Sequence, residues 1–65
     1  MNPYQERVIE EKEALEEKYR KLTTFFDQPA FQDVPMDEQV RMARQADVMK
    51  EYLDILNARI VRFEP

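Results

Sequence analysis

Apolar residues in the second half of the chain recur at Met42, Ala46, Met49, Leu53, Leu56, Ile60 and Phe63, with spacings that alternate four and three. On an α-helix this spacing keeps the side chains on one stripe, a heptad seam suited to packing against another helix. A polar line runs beside the seam, with Gln45, Tyr52 and Arg59 each seven residues apart. Polar and core-forming groups are thus placed near the same stripe, and the arginine needs a partner if it is buried. A second apolar stripe, Val48, Tyr52, Ile55 and Val61, lies off the seam. A helix in a two-helix hairpin buries one stripe only, so the surplus predicts an interface through Val48, Tyr52 and Ile55, with copies of the same chain or with another protein.

The first half repeats the helical period at Tyr4, Val8, Leu15, Tyr19, Leu22, Phe25 and Phe26. Asn2 is placed as N-cap, Pro3 as the first helical residue, and Gln5 to complete a capping-box-like exchange. Glu16 with Arg20 and Glu17 with Lys21 have the i,i+4 spacing of surface ion pairs, each worth only about 0.2–0.5 kcal/mol. The remaining glutamates read as a solvated face. Glycine is absent, and the prolines stand at 3, 29, 35 and 65. Because proline fits the first turn of a helix and breaks its interior, two helices of about 3–27 and 36–63 are predicted around a connector of about 28–35. In that connector, residues 30–34 form a short helical turn that drops Phe31 and Val34 over the hairpin end. With no glycine available, prolines and aspartate side chains must shape the corner. The predicted fold is therefore all-α. It is a single domain (1–65) of two long antiparallel helices, a helical hairpin with a short helical turn at the corner, assembling into a helical-bundle homo-oligomer.

A hairpin with its corner near residues 28–35 pairs positions whose numbers sum to about 63. Tyr4 then approaches Arg59, Arg7 approaches Leu56, Glu11 approaches Tyr52, and Lys18 approaches Gln45. Two readings of this polar layer follow. In one, Glu11 pairs with Arg7 or Arg59, and Lys18 with Gln45, as half-buried contacts that set register and oligomeric state. In the other, Arg7 and Arg59 with Tyr4 and Tyr52 form an anion site. Arginine offers a planar donor fork for phosphate, and tyrosine a stacking face with a hydroxyl, which suits a small phosphate-containing nucleotide.

At 65 residues the chain buries too small a share of its surface to be comfortable alone. It has no cysteine and no histidine, which removes disulfides and the usual zinc ligand sets, so self-association is the expected support. Ten Lys and Arg against 14 Asp and Glu give a net charge of −4 with the signs interleaved. Binding to duplex nucleic acid is disfavoured, since that requires a net basic face. No stretch approaches the roughly 20 apolar residues of a membrane span, and the first residues lack the basic and apolar regions of an export signal. The chain reads as soluble and cytoplasmic. No catalytic residue, metal ligand set or cofactor site is assigned. Glu10-Glu11 and Glu16-Glu17 are neighbours on a helix and point in different directions, and Met36, Met42 and Met49 read as adaptable core filler.

The opening Met1-Asn2-Pro3-Tyr4-Gln5-x-Arg7-Val8, followed by Glu11, Leu15, Lys18, Leu22 and Phe25, resembles small uncharacterised phage and prophage proteins named after a reading frame of a crAss-like phage. The likeness continues through Gln45, Met49, Tyr52, Ile55-Leu56, Arg59-Ile60 and Phe63, and so covers essentially the whole chain. It implies a phage origin, residence in the host cytoplasm and a helical hairpin, and supplies no reaction. By analogy with small helical phage oligomers, the expectation is a non-enzymatic counter-defence protein that sequesters a nucleotide immune signal, either a cyclic oligonucleotide or an ADP-ribose derivative. Two alternatives stand beside it: a protein-binding, anti-CRISPR-like inhibitor of a host defence complex, and a structural phage accessory protein.

Overall fold

The computed structural model describes residues 2–63. Helix α1 runs Pro3–Phe26, a short 3-10 helix runs Pro29–Asp33, and helix α2 runs Met36–Ile60, with α1 and α2 packed against each other as a hairpin. The Asn2 side chain accepts a hydrogen bond from the Gln5 backbone N–H at 2.9 Å, satisfying one of the four donors that a helix start leaves open. This is the N-cap half of the predicted exchange; no return bond from the Gln5 side chain forms. Helix α2 starts after Pro35, whose carbonyl accepts from the Glu38 and Gln39 N–H groups at 3.0 Å, while Asp37 and Glu38 place negative charge in the first turn. It stops at Ile60, and Val61-Arg62 form a closing turn, so the helix is shorter than the predicted 36–63.

The corner contains no residue of positive φ, in keeping with the absence of glycine. Asp27 and Gln28 turn back through backbone bonds to Thr24 and Phe25, and Phe31 is tucked between the ends of the chain's aromatic cluster. Its ring lies 5.7 Å from that of Phe25, edge-on, and 5.1 Å from that of Phe26. The side chain that ties the corner together is Gln39. Its amide N–H groups donate to the carbonyls of Phe31 (3.0 Å) and Val34 (2.9 Å), joining the short helix to the first turn of α2. The aspartates expected in that role make no side-chain hydrogen bond at the corner.

Among the described residues, four side chains are buried: Val8 from α1, and Ala46, Leu53 and Leu56 from α2. Leu15, Tyr19, Leu22, Met42, Met49 and Ile60 are half-buried around them, which is the heptad seam read from the sequence. Lys12 also lies on this side of α1. Its half-buried stem covers apolar surface while Nζ reaches Glu16 at 3.2 Å. The molecule is a rod of 48 × 15 × 14 Å, one helix pair thick, and among the described residues no polar or charged side chain is buried. The exposed faces carry intrahelical ion pairs: Glu17 with Arg20 (2.6 Å) and Lys21 (3.7 Å), Arg41 with Asp37 (3.1 Å) and Glu38 (2.9 Å), and Lys50 with Asp54 (2.6 Å). Glu16 is taken by Lys12, and Arg20 pairs with Glu17 in its place.

The polar layer is not half-buried. Gln45, Tyr52, Arg59, Glu11 and Lys18 are all exposed, and none of the charged members forms a salt bridge among the described residues. Gln45 instead reaches the Met49 sulfur at 3.9 Å. The reason is angular. Gln45, Tyr52 and Arg59 each stand one residue before a seam position (Ala46, Leu53, Ile60), on the flank of the stripe, and a pair of helices covers the stripe while leaving its flank open to solvent at every repeat. The register also differs. Tyr4 packs on Phe63, and Tyr19 shares a groove with Lys50, about one turn later along α2 than the 63-sum pairing.

Candidate functional site

The end of the rod opposite the corner carries an open cleft of about 600 Å³, lined by Tyr4 and Gln5 of α1 and by Ile55, Ala58, Arg59, Arg62 and Phe63 from the end of α2 and its closing turn. Each part has a local cause. Asn2 and Pro3 start α1 so that Tyr4 sits in its first turn, where one face of its ring has no preceding helical turn to cover it. Helix α2 ends in backbone bonds from Val61 to Asn57, Arg62 to Arg59 and Phe63 to Ile60, which fold Phe63 back towards α1. The Tyr4 and Phe63 rings meet at 5.8 Å with their planes tilted by 55°. Arg59 and Arg62, three residues apart, share one face of the helix end and both border the cleft.

Of the four ligand-binding residues predicted, Tyr4 and Arg59 come together here. Arg7 and Tyr52 do not line the cleft, and Tyr52 instead lies on the exposed apolar stripe, 41% accessible. Arg7 was placed near the site by the 63-sum register, which the helices do not adopt. Arg62 was missed, although its i+3 relation to Arg59 was a usable signal. The three residues expected at an interface, Val48, Tyr52 and Ile55, are all exposed, and Ile55 belongs both to that stripe and to the wall of the cleft.

The cleft offers two aromatic rings, a phenol hydroxyl and two guanidinium groups, with no carboxylate in its lining among the described residues. Such a set can stack a planar group and hold an anion through forked, charge-assisted hydrogen bonds, and it contains no nucleophile–base pair. No group of three or more acidic, His or Cys residues able to hold a metal occurs among the described residues. Titration is perturbed elsewhere, on the exposed ion pairs. The hydrogen bond from Arg20 holds the Glu17 carboxyl below its ordinary value, and the hydrogen bond to Asp54 holds Lys50 above its own. A second groove, of about 370 Å³, lies beside Tyr19 and Leu53, but the charges along it are already engaged: Arg20 with Glu17, Lys50 with Asp54 and Glu16 with Lys12.

No helix among the described residues is long and apolar enough to cross a membrane. Comparison with curated proteins and with solved structures finds no match. The family model described as Sequestin matches residues 2–62, nearly the whole hairpin, and the chain belongs to the Sequestin family.

Proposed function

We propose that this hairpin is a non-enzymatic sponge that binds and withholds a small phosphate-containing nucleotide, a cyclic oligonucleotide or ADP-ribose-type immune signal, in phage counter-defence. The observation that carries the reading is the cleft, in which Arg59 and Arg62 flank the Tyr4–Phe63 ring pair. The family's name, Sequestin, is consistent with the same class of activity. In this reading the guanidinium groups hold the phosphate, Tyr4 and Phe63 stack the base or its equivalent, and release is slowed by assembly of the hairpin with copies of itself. The phage setting draws on the sequence resemblance.

A thermal-shift screen against cyclic di- and trinucleotides and ADP-ribose derivatives tests it. A ligand at 100 times its Kd stabilises by about 2.7 kcal/mol, which for a domain of this size raises Tm by roughly 10–20 °C. Arg59→Ala is expected to abolish the shift without lowering the ligand-free Tm, because Arg59 is exposed. Absence of any shift across the screen, or an unchanged shift in Arg59→Ala, refutes the site. The exposed apolar stripe favours a second reading, a protein-binding inhibitor. Stoichiometric capture of one defence component through a Val48→Asp-sensitive contact selects it over the sponge.

A further inference from the structure

The exposed face of α2 is arranged symmetrically about the Glu51–Tyr52 peptide. Val48 on one side matches Ile55 on the other, Arg44 matches Arg59, and Arg41 matches Arg62. All six side chains are exposed, with Val48 at 50% and Ile55 at 59% accessibility. Under a two-fold axis at that peptide, residue i packs on residue j and j on i, so Val48 meets the partner's Ile55 as an apolar pair and Glu51 meets the partner's Tyr52, with arginines facing arginines further out. Four buried side chains are a small core for a rod this long, so burial of a further apolar face is the remaining source of support.

We infer that two copies of the chain pair antiparallel through this face, and that each pairing brings the partner's Arg44 to the cleft beside Arg59 and Arg62, completing an anion site that neither copy holds alone. The two-fold lays Val48 of one chain against the partner's Ile55, and Ile55 is itself part of the cleft wall, so the interface and the site are continuous. Arg44 is exposed and forms no salt bridge among the described residues, whereas Arg41 is engaged by Asp37 and Glu38. Three guanidinium groups drawn together repel one another unless an anion lies between them. Pairing is therefore weak without a multivalent anion and strong with one, and by linkage the paired state binds the anion more tightly. The ligand class rests on the sponge reading, and the antiparallel pairing rests on the face alone.

The chain has no cysteine, which makes a direct test available on the full-length protein. Val48→Cys and Ile55→Cys proteins are mixed under mild oxidation, with each protein alone as control. Antiparallel pairing gives mostly the mixed Val48→Cys/Ile55→Cys disulfide, since only those positions face each other. Inorganic pyrophosphate, compared with sodium chloride at equal ionic strength, should raise its yield at least about threefold at concentrations near the dimer Kd. Placing Arg44→Ala in both proteins should remove that increase while leaving the basal cross-link. Predominant self-linkage of Val48→Cys, which reports parallel pairing, overturns the proposal, as does linkage no greater than at an Asp47→Cys control. A pyrophosphate effect that survives Arg44→Ala removes the composite site. If cross-linking and its pyrophosphate dependence hold while no nucleotide shifts Tm, the composite anion site stands and the nucleotide reading fails.

Discussion

Replacing Leu56 by alanine tests the packing on which the cleft depends, because Leu56 is, among the described residues, the one large side chain with no solvent exposure while its neighbour Ile55 is 59% exposed. The substitution removes three carbons from the core, about 2.4 kcal/mol of transfer free energy at roughly 0.8 kcal/mol per buried CH₂. A cavity term adds to this. The rod is only 15 × 14 Å in section, so a void at Leu56 lies one side chain from solvent and can partly collapse. The expected loss is therefore about 3 kcal/mol, in the lower half of the 2–5 kcal/mol range for buried Leu→Ala. A 65-residue domain has roughly 3–10 kcal/mol in total, so this removes a third or more of it and lowers Tm by about 12–24 °C. Urea unfolding followed by far-UV circular dichroism measures the loss directly, at one fixed low protein concentration so that self-association does not contribute. Under those conditions Ile55→Ala should cost less than about 0.5 kcal/mol. A Leu56→Ala loss below about 1 kcal/mol, or an equal loss for Ile55→Ala, would show that the seam is not where the stability resides.

Gln39→Ala leaves the Val34 carbonyl without its side-chain donor and the Phe31 carbonyl with the Val34 N–H alone, and should cost about 1–2 kcal/mol, seen as a lower urea midpoint at unchanged m. Asn2→Ala removes the N-cap and should cost about 0.5–1 kcal/mol, the low end for a cap because the first turn can fray; amide exchange at Gln5, whose N–H loses its acceptor, should accelerate most. The Tm should be level between about pH 6 and pH 9, since no histidine is present to titrate there. Glu17, held below 4.5, contributes stability that is present above that value and is lost as pH falls through its lowered pKa. Lys50, held above 10.5, contributes below that value and loses it as pH rises through its raised pKa. A Tm inflection near pH 6.5 would contradict this account.

The seam of Ala46, Leu53 and Leu56 was legible because four-and-three spacing has one helical meaning, and Asn2-Pro3 was legible because a capping residue followed by proline has one reading at a helix start. The exposure of Gln45, Tyr52 and Arg59 was not, because a line flanking the seam is covered in a bundle of several helices and bare in a single pair, and the spacing is the same in both. The pairing of Tyr4 with Phe63 depended on how many residues the corner consumes. That number is set by Gln39 reaching back eight residues to Phe31, a contact no local pattern announces. Arg62 escaped notice because only the seven-residue line through Arg59 was followed, although the predicted helix of 36–63 already placed Arg62 three residues on, on the same face.

The thinness of the rod also bears on how such a protein can change over generations. With Val8, Ala46, Leu53 and Leu56 as the only side chains withdrawn from water among the described residues, very few positions tie the sequence to its shape. Outside the half-buried seam and the ties made by Asn2 and Gln39, the exposed residues, Arg59 and Arg62 of the cleft included, can be exchanged at little thermodynamic penalty. A scaffold of this kind is mutationally permissive where it meets its ligand and restrictive only along one narrow line. Its recognition surface can therefore diversify quickly while the hairpin beneath it stays the same.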